Sequence, residues 1–146
     1  MKLSVRKFRE SDLESLYGLL SDPRVMEHLE SPFTREESRR FLEKAGLSEP
    51  PLIYAAEDAG VLIGYVIYHA FDADSMEIGW VLRPEYQGKG CASALTGMLV
   101  EKAISSGKQA VIECSPEQAA SRHIAEKFHF EYEGRFEGLD VFRLRP

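Results

Sequence analysis

The sequence predicts an α+β domain built on a central mixed, mostly antiparallel sheet flanked by helices. Three observations carry this expectation. Apolar residues at helical spacing dominate the first third of the 146-residue chain, from Leu13 to Ala45. Strand texture then takes over in three runs divided by short turns, residues 52–56, 61–68 and 76–82, the pattern of an antiparallel meander. An amphipathic segment from Cys91 to near Ser106 then separates the third run from residues 110–114, a spacing that calls for a helical crossover and a parallel strand pair.

Each element has a local reason. Leu3, Val5 and Phe8 among Lys2, Arg6, Lys7 and Arg9 read as a first strand. Ser11 and Glu14 have capping-box spacing ahead of Leu13, Leu16, Tyr17 and Leu20, which share one helix face. Asp22 and Pro23 restart the chain as cap and first helical residue, Ser31-Pro32 breaks it, and Thr34 with Glu37 opens another helix that runs to Gly46. Turns near Asp58-Ala59-Gly60 and Asp72-Ala73-Asp74 divide the meander. Ser115-Pro116-Glu117-Gln118 is expected to start a late helix, with Ala120, Ile124 and Phe128 facing the core. Phe130 to Leu144, interrupted by Gly134 and Gly138, reads as a closing strand pair.

The chain is expected to form one domain over residues 1–146, large enough to bury most of its unfolded surface. Lys and Arg number 18 against 24 Asp and Glu, a formal net charge of −6, which argues against general nucleic-acid binding. The N-terminus lacks the apolar core of a signal peptide, and no run approaches the ~20 apolar residues of a membrane span. Cys91 and Cys114 form neither a metal spacing nor a disulfide framework, and His28, His69, His123 and His129 show no paired metal spacing. These features point to a cytoplasmic protein, monomer or homodimer, with no metal.

The stretch from Arg83 to Ala92 follows a strand and opens a helix, and Gly88 and Gly90 let successive N–H groups turn outward at the positive end of the helix dipole. Such a turn holds an anion, most often phosphate. A nucleotide triphosphatase loop requires Gly-Lys followed by Ser or Thr, whereas Lys89 precedes Gly90; a dinucleotide fingerprint requires a further glycine, and position 93 is Ser. A pyrophosphate held by the amides of Gln87-x-x-Gly90-x-Ala92 is the remaining reading.

That spacing, in its strand–turn–helix context, resembles the GNAT superfamily of acetyl-CoA-dependent N-acetyltransferases. Residues 21–26, 76–82 and 121–130, and the ending Phe142-Arg143-Leu144, further resemble the branch containing the ribosomal-protein N-terminal acetyltransferases. The resemblance implies the GNAT fold and acetyl-CoA as cofactor. It also implies direct acetyl transfer to a primary amine, either a protein N-terminal α-amine or a small amine. A non-catalytic acyl-CoA-binding module is the alternative. Coenzyme contacts then fall on Gln87, Gly88, Lys89, Gly90, Cys91 and Ala92, with Val81 and Leu82 on the preceding strand supplying backbone groups and Gln118 and Ser121 on the late helix. Glu77 matches an acidic position that relatives use as general base, and Ser121 is a second catalytic candidate, as coenzyme contact or thiolate acid. Ala125 stands where many relatives carry a tyrosine acid, and Gln118 and His129 replace a usual Asn and Gly. The strands ending at Leu82 and Cys114 are expected to part and leave a slot for the pantetheine arm, with Gly79 marking a bulge that opens it.

Overall fold

The computed structural model describes residues 1–146. Strands β1 (Leu3–Arg6), β2 (Ile53–Asp58), β3 (Val61–Asp72), β4 (Ser75–Leu82), β5 (Gln109–Cys114), β6 (Glu131–Phe136) and β7 (Leu139–Leu144) form one sheet in the order β1-β2-β3-β4-β5-β7-β6. Only β4 and β5 are parallel neighbours; every other pairing is antiparallel. Helices α1 (Leu13–Leu20), α2 (Pro23–Met26) and α3 (Arg35–Phe41) precede β2, α4 (Cys91–Ser105) makes the crossover, and α5 (Ala119–Lys127) leads to the closing hairpin. The α+β expectation holds, element by element, and no helix is long and apolar enough to cross a membrane.

Alternation along the strands sorts the side chains into two cores. Ile78, Leu82, Ile112 and Phe142 meet Leu95 and Leu99 of α4 on one face. Ile53, Ala55, Tyr65 and Val81 meet Leu16, Leu19, Leu20 and Leu42 on the other. Burial of this kind contributes roughly 25 cal/mol per Å² of apolar surface, and Leu16 and Leu95 are among the side chains fully removed from water.

Two helix starts differ from the sequence reading. Ser11 does not cap α1; a short 3₁₀ turn over Glu10–Asp12 comes first, and the Asp12 carboxylate accepts from the Arg9 N–H (2.7 Å) and from Arg6. Ser115 does not open α5 directly either. Gln118 Oε1 accepts from the Ser115 N–H at 2.8 Å, as half of a capping box, but the Ser115 hydroxyl turns to Glu117 and the helix begins at Ala119. The Thr34–Glu37 capping box forms reciprocally, at 2.8 and 3.1 Å, and α3 ends in a wide π turn over Leu42–Gly46.

Candidate active site

β4 and β5 pair only at Ser75–Gln109, Met76–Ala110 and Glu77–Val111. Beyond that point each strand follows its antiparallel neighbour: β4 stays on β3 to the Gly64–Leu82 pair, and β5 stays on β7 to the Cys114–Asp140 pair. The strands therefore part, as expected, but without a bulge at Gly79, which remains in register opposite Ile67. The glycine that matters for this geometry is Gly64, where an added Cβ would overlap the Val81 carbonyl oxygen.

The direction of the peptide groups in the gap follows from two bonds. Gln109 N–H donates to Asp74 O at 2.9 Å, and Arg83 N–H donates to Ile63 O at 2.8 Å. Peptide groups alternate sides along a strand, so those of Ile78, Trp80 and Leu82 point toward β5, where no strand meets them. The Gln87 side-chain amide covers the Leu82 carbonyl at 3.0 Å, leaving the Trp80 and Leu82 N–H groups aimed into the gap.

At the end of β4 a 3₁₀ turn over Pro84–Tyr86 leads to Gly88 (φ 71°) and Gly90 (φ 86°), both in the left-handed region that L side chains resist. Gly90 is the N-cap of the 15-residue α4, and no side chain caps it. The first backbone bond into this helix is Ala94 N–H to Gly90 O, and the N–H groups of residues 88–93 have no backbone acceptor. A run of free amides at a helix N-terminus is an anion cradle. It is the feature that a coenzyme pyrophosphate requires.

A groove of about 610 Å³ joins the gap to this cradle. Trp80, Val81 and Leu82 form its floor, Gln87, Gly88, Gly90 and Ala92 one end, Gln118 and Ser121 one wall, and Arg24, Glu27 and His28 the wall opposite. Of the residues singled out in the sequence, three are not in the lining. Cys91 is fully buried against the core, so its thiol cannot contribute to the groove although its N–H does belong to the cradle. Lys89 is exposed at the tip of the turn. Glu77 lies lower on β4, just where the strands begin to part, on the sheet face opposite α4.

Glu77 does not stand alone there. Val111 is its partner on β5, and Glu113, two residues on, shares the same face. Burial and then the Glu113 carboxylate push the Glu77 carboxyl up to about 7. From β3, His69 Nε2 approaches Glu77 Oε1 to 3.7 Å. Neither Glu113 nor His69 was apparent from the sequence, because the parallel register that brings three strands' side chains into one row has no local signature.

Asp140 was not apparent from the sequence either, because its partners come from a separate helix and from across the closing hairpin. Its carboxylate is wholly enclosed and accepts from Arg122 on α5 (2.7 Å) and from Arg135 and Tyr132 on β6 (3.0 Å each). The Arg135 guanidinium, with Arg122 and Tyr132, holds this carboxyl below the usual range. Through Arg122 it ties α5, and with it Gln118 and Ser121, to the end of the sheet. Of the aromatics on the central strands, Trp80 lines the groove, whereas Tyr65 is core and Tyr54 lines a separate cavity beside α4.

Comparison with known proteins agrees with this geometry. Residues 2–131 match the family model described as the acetyltransferase (GNAT) domain. The uncharacterized N-acetyltransferase YnaD of Bacillus subtilis is 31% identical over 142 residues, covering 92% of this chain and 82% of that protein. A GNAT-family acetyltransferase from Bacillus anthracis has the same fold, with TM-score 0.83, 29% identity and coverage of 98% and 93% of the two chains. RimL, a ribosomal-protein α-N-acetyltransferase solved with coenzyme A, is likewise similar in fold, with TM-score 0.83, 21% identity and coverage of 99% and 95%. The parted strands, the free amides of the glycine turn and the family match over nearly the whole chain converge: the chain belongs to the GNAT acetyltransferase family and is an acetyl-CoA-dependent N-acetyltransferase.

Proposed function

We propose that the acceptor is a protein N-terminal α-amine and that the coenzyme lies in the groove with its pyrophosphate on the amides of Gly88, Lys89, Gly90, Cys91 and Ala92; the Gln87 N–H, expected from the sequence to join them, donates instead to Pro84 O at 3.2 Å. The observation that carries the placement is the uncapped run of N–H groups at residues 88–93, which meets the parted strands in one continuous groove. Acetyl-CoA, when bound, supplies an activated thioester carbonyl. The Trp80 and Leu82 N–H groups act on the pantetheine arm and the thioester, one of them donating to the carbonyl oxygen as negative charge develops. Val81 contributes through the strand that fixes those amides. Gln118 and Ser121 close the opposite wall, and the Ser121 hydroxyl returns a proton to the departing sulfur. Nitrogen attack forms the C–N bond, the C–S bond breaks, the proton lost by nitrogen goes to Glu77 and from there to solvent, and Ser121 regains its proton from water.

Glu77 also bears on the acceptor. It lies three residues below Trp80, about 10 Å along a strand, so it acts through intervening water. A base near 7 is about one unit short of an α-amine at ~8 and more than three short of a lysine at ~10.4. Proton removal is thus far better matched to an N-terminus. The fold likeness to RimL fits this reading. The free thiols of Cys91 and Cys114 fit a reducing, cytoplasmic setting. A thiol-release assay with acetyl-CoA over a panel of N-terminal peptides, lysine-containing peptides with blocked N-termini, polyamines and aminoglycosides tests the proposal. Turnover confined to free peptide N-termini is expected, and preference for any side-chain or small amine overturns it.

A further inference from the structure

A second cavity, of about 320 Å³, opens between α4 and strands β1, β2 and β3. Its walls come from the end of β1, from Tyr54 of β2 and Tyr68 of β3, and from Leu99 and Lys102 of α4. It shares no lining residue with the groove. Lys102 lies about 16 Å along the helix axis beyond Cys91, at the end of α4 remote from the cradle. The volume falls at the lower end of the roughly 300–1,000 Å³ that holds small ligands.

The lining is one-sided in charge. The chain as a whole carries a net charge of −6, yet the cavity is lined by Arg6, Lys7 and Lys102 and by no carboxylate. Two of the three cations are already matched, Arg6 by Asp12 and Glu57 at 2.9 and 2.8 Å and Lys7 by Glu49 at 3.6 Å. Lys102 is not. A lysine in the last turn of a helix is favoured wherever its side chain points. This one lies over the Tyr68 and Tyr54 rings, with Nζ 5.0 and 5.4 Å from their centres. Neither tyrosine hydroxyl bonds within the chain, and no polar side-chain atom is sealed in the protein without a partner, so both hydroxyls meet accessible space. Burial, and then Tyr54, push the Tyr68 hydroxyl above its ordinary range, so it stays protonated and able to donate. Three donors thus lie together, one of them cationic, beside an apolar wall of Val5, Met98 and Leu99.

We propose that this cavity binds a small monocarboxylate with a flat apolar body, of which an aromatic acid is the simplest kind. The carboxylate accepts from the Lys102 ammonium and the tyrosine hydroxyls, and the apolar body lies against Val5, Leu99 and the ring faces. One uncommitted cation with two hydroxyls matches a monoanion better than a phosphate dianion. On binding, Lys102 exchanges the attraction of two ring faces for a charge-assisted hydrogen bond, and yields those faces to the ligand. The site stands apart from acetyl transfer: its occupant is neither donor nor acceptor, and it holds whether or not the coenzyme lies as proposed above.

Titration of the isotope-labelled chain with 2-naphthoate and with its uncharged isostere 2-naphthamide, followed by backbone amide NMR shifts, tests the site without reference to turnover. Naphthoate is expected to move the amides of Val5, Tyr54, Tyr68, Leu99 and Lys102 saturably, with Kd on the order of 1 mM, and to leave those of Gly88, Gly90 and Ser121 in place. Naphthamide is expected to bind about 5- to 10-fold more weakly, the scale of one charge-assisted contact at a solvated site. Lys102→Gln, a change at an exposed position, is expected to bring the acid down to the affinity of the amide while shifts elsewhere stay as in wild type. Absence of saturable shifts at the cavity, shifts confined to the groove, equal affinity for acid and amide, or undiminished affinity for the acid in Lys102→Gln each overturns the assignment.

Discussion

Replacing Glu77 by Gln separates the base assignment from every other feature of the site. The Glu77 carboxyl is pushed up to about 7 by burial and the adjacent Glu113 carboxylate, so in the wild-type enzyme kcat should climb tenfold per pH unit below neutrality and level off above it. At pH 6 roughly a tenth of the enzyme then carries a usable base. Glu77→Gln is expected to lower kcat by about 10²–10⁴ at pH 7 and to move the remaining rise toward ~8, where the α-amine loses its own proton. Side chains from three strands meet here: Glu77 itself on β4, Glu113 on β5 and His69 on β3. The same shift gives a folding control with opposite sign. A carboxyl raised on folding contributes stability at low pH that is lost as pH climbs from 4.5 through about 7. Carried in full, the displacement amounts to about 3 kcal/mol, and with solvent reaching part of the side chain, to roughly 1–2 kcal/mol. Glu77→Gln should therefore be more stable than wild type at pH 8 by that amount in urea titrations, and equal at pH 4. A kcat profile that keeps its rise near 7 in the variant refutes the base assignment, whatever the stability shows.

Gly90→Asp is expected to weaken acetyl-CoA binding at least tenfold by calorimetry, by placing a carboxylate beside the cradle, and to cost about 1 kcal/mol of stability, because φ of 86° suits glycine. Gly64→Ala must push the end of β4 away from β3; a loss of ~3 kcal/mol or more in denaturant titration is expected, with coenzyme affinity falling because the Trp80 and Leu82 amides move. Thr34→Ala, remote from the groove, removes the cap of α3 and should cost about 1 kcal/mol while kcat and KM stay as in wild type.

Most of the fold is legible in the sequence because the signals are local and strong. The Thr34–Glu37 box, Asp22-Pro23, and the apolar run of residues 61–68 each act within a few residues, and the structure realises them. The two misplaced helix starts fail where several polar side chains compete for the same donors. Asp12 takes the Arg9 N–H that a Ser11 cap would have organised against, because Arg6 also holds it. Ser115 is diverted by Glu117 while Gln118 still reaches back to its N–H. Choosing among such neighbours depends on tertiary partners, here a strand 6 residues back from Asp12, and no local pattern supplies them.

The site divides along the same line. In the proposed site, the coenzyme is held by backbone: amides freed by two left-handed glycines, and peptide groups exposed where β4 leaves β5. Backbone requirements leave their mark in the sequence as glycine positions and strand–turn–helix order, which is why Gln87 to Ala92 could be singled out. The groups proposed to act on the acceptor are side chains from separate strands, and only register brings them together. Glu77 was visible as one acidic residue in an apolar run, but its tuning requires Glu113 beside it, 36 residues away in sequence and two positions past its β5 partner Val111. A shift of the parallel pairing by one residue would turn Glu113 to the other face and leave burial alone to raise the Glu77 carboxyl. If Glu77 is the base proposed above, the register at Ser75–Gln109, Met76–Ala110 and Glu77–Val111 bears on catalysis as well as on structure, fixing where the strands part and which carboxylate stands beside the group at that point.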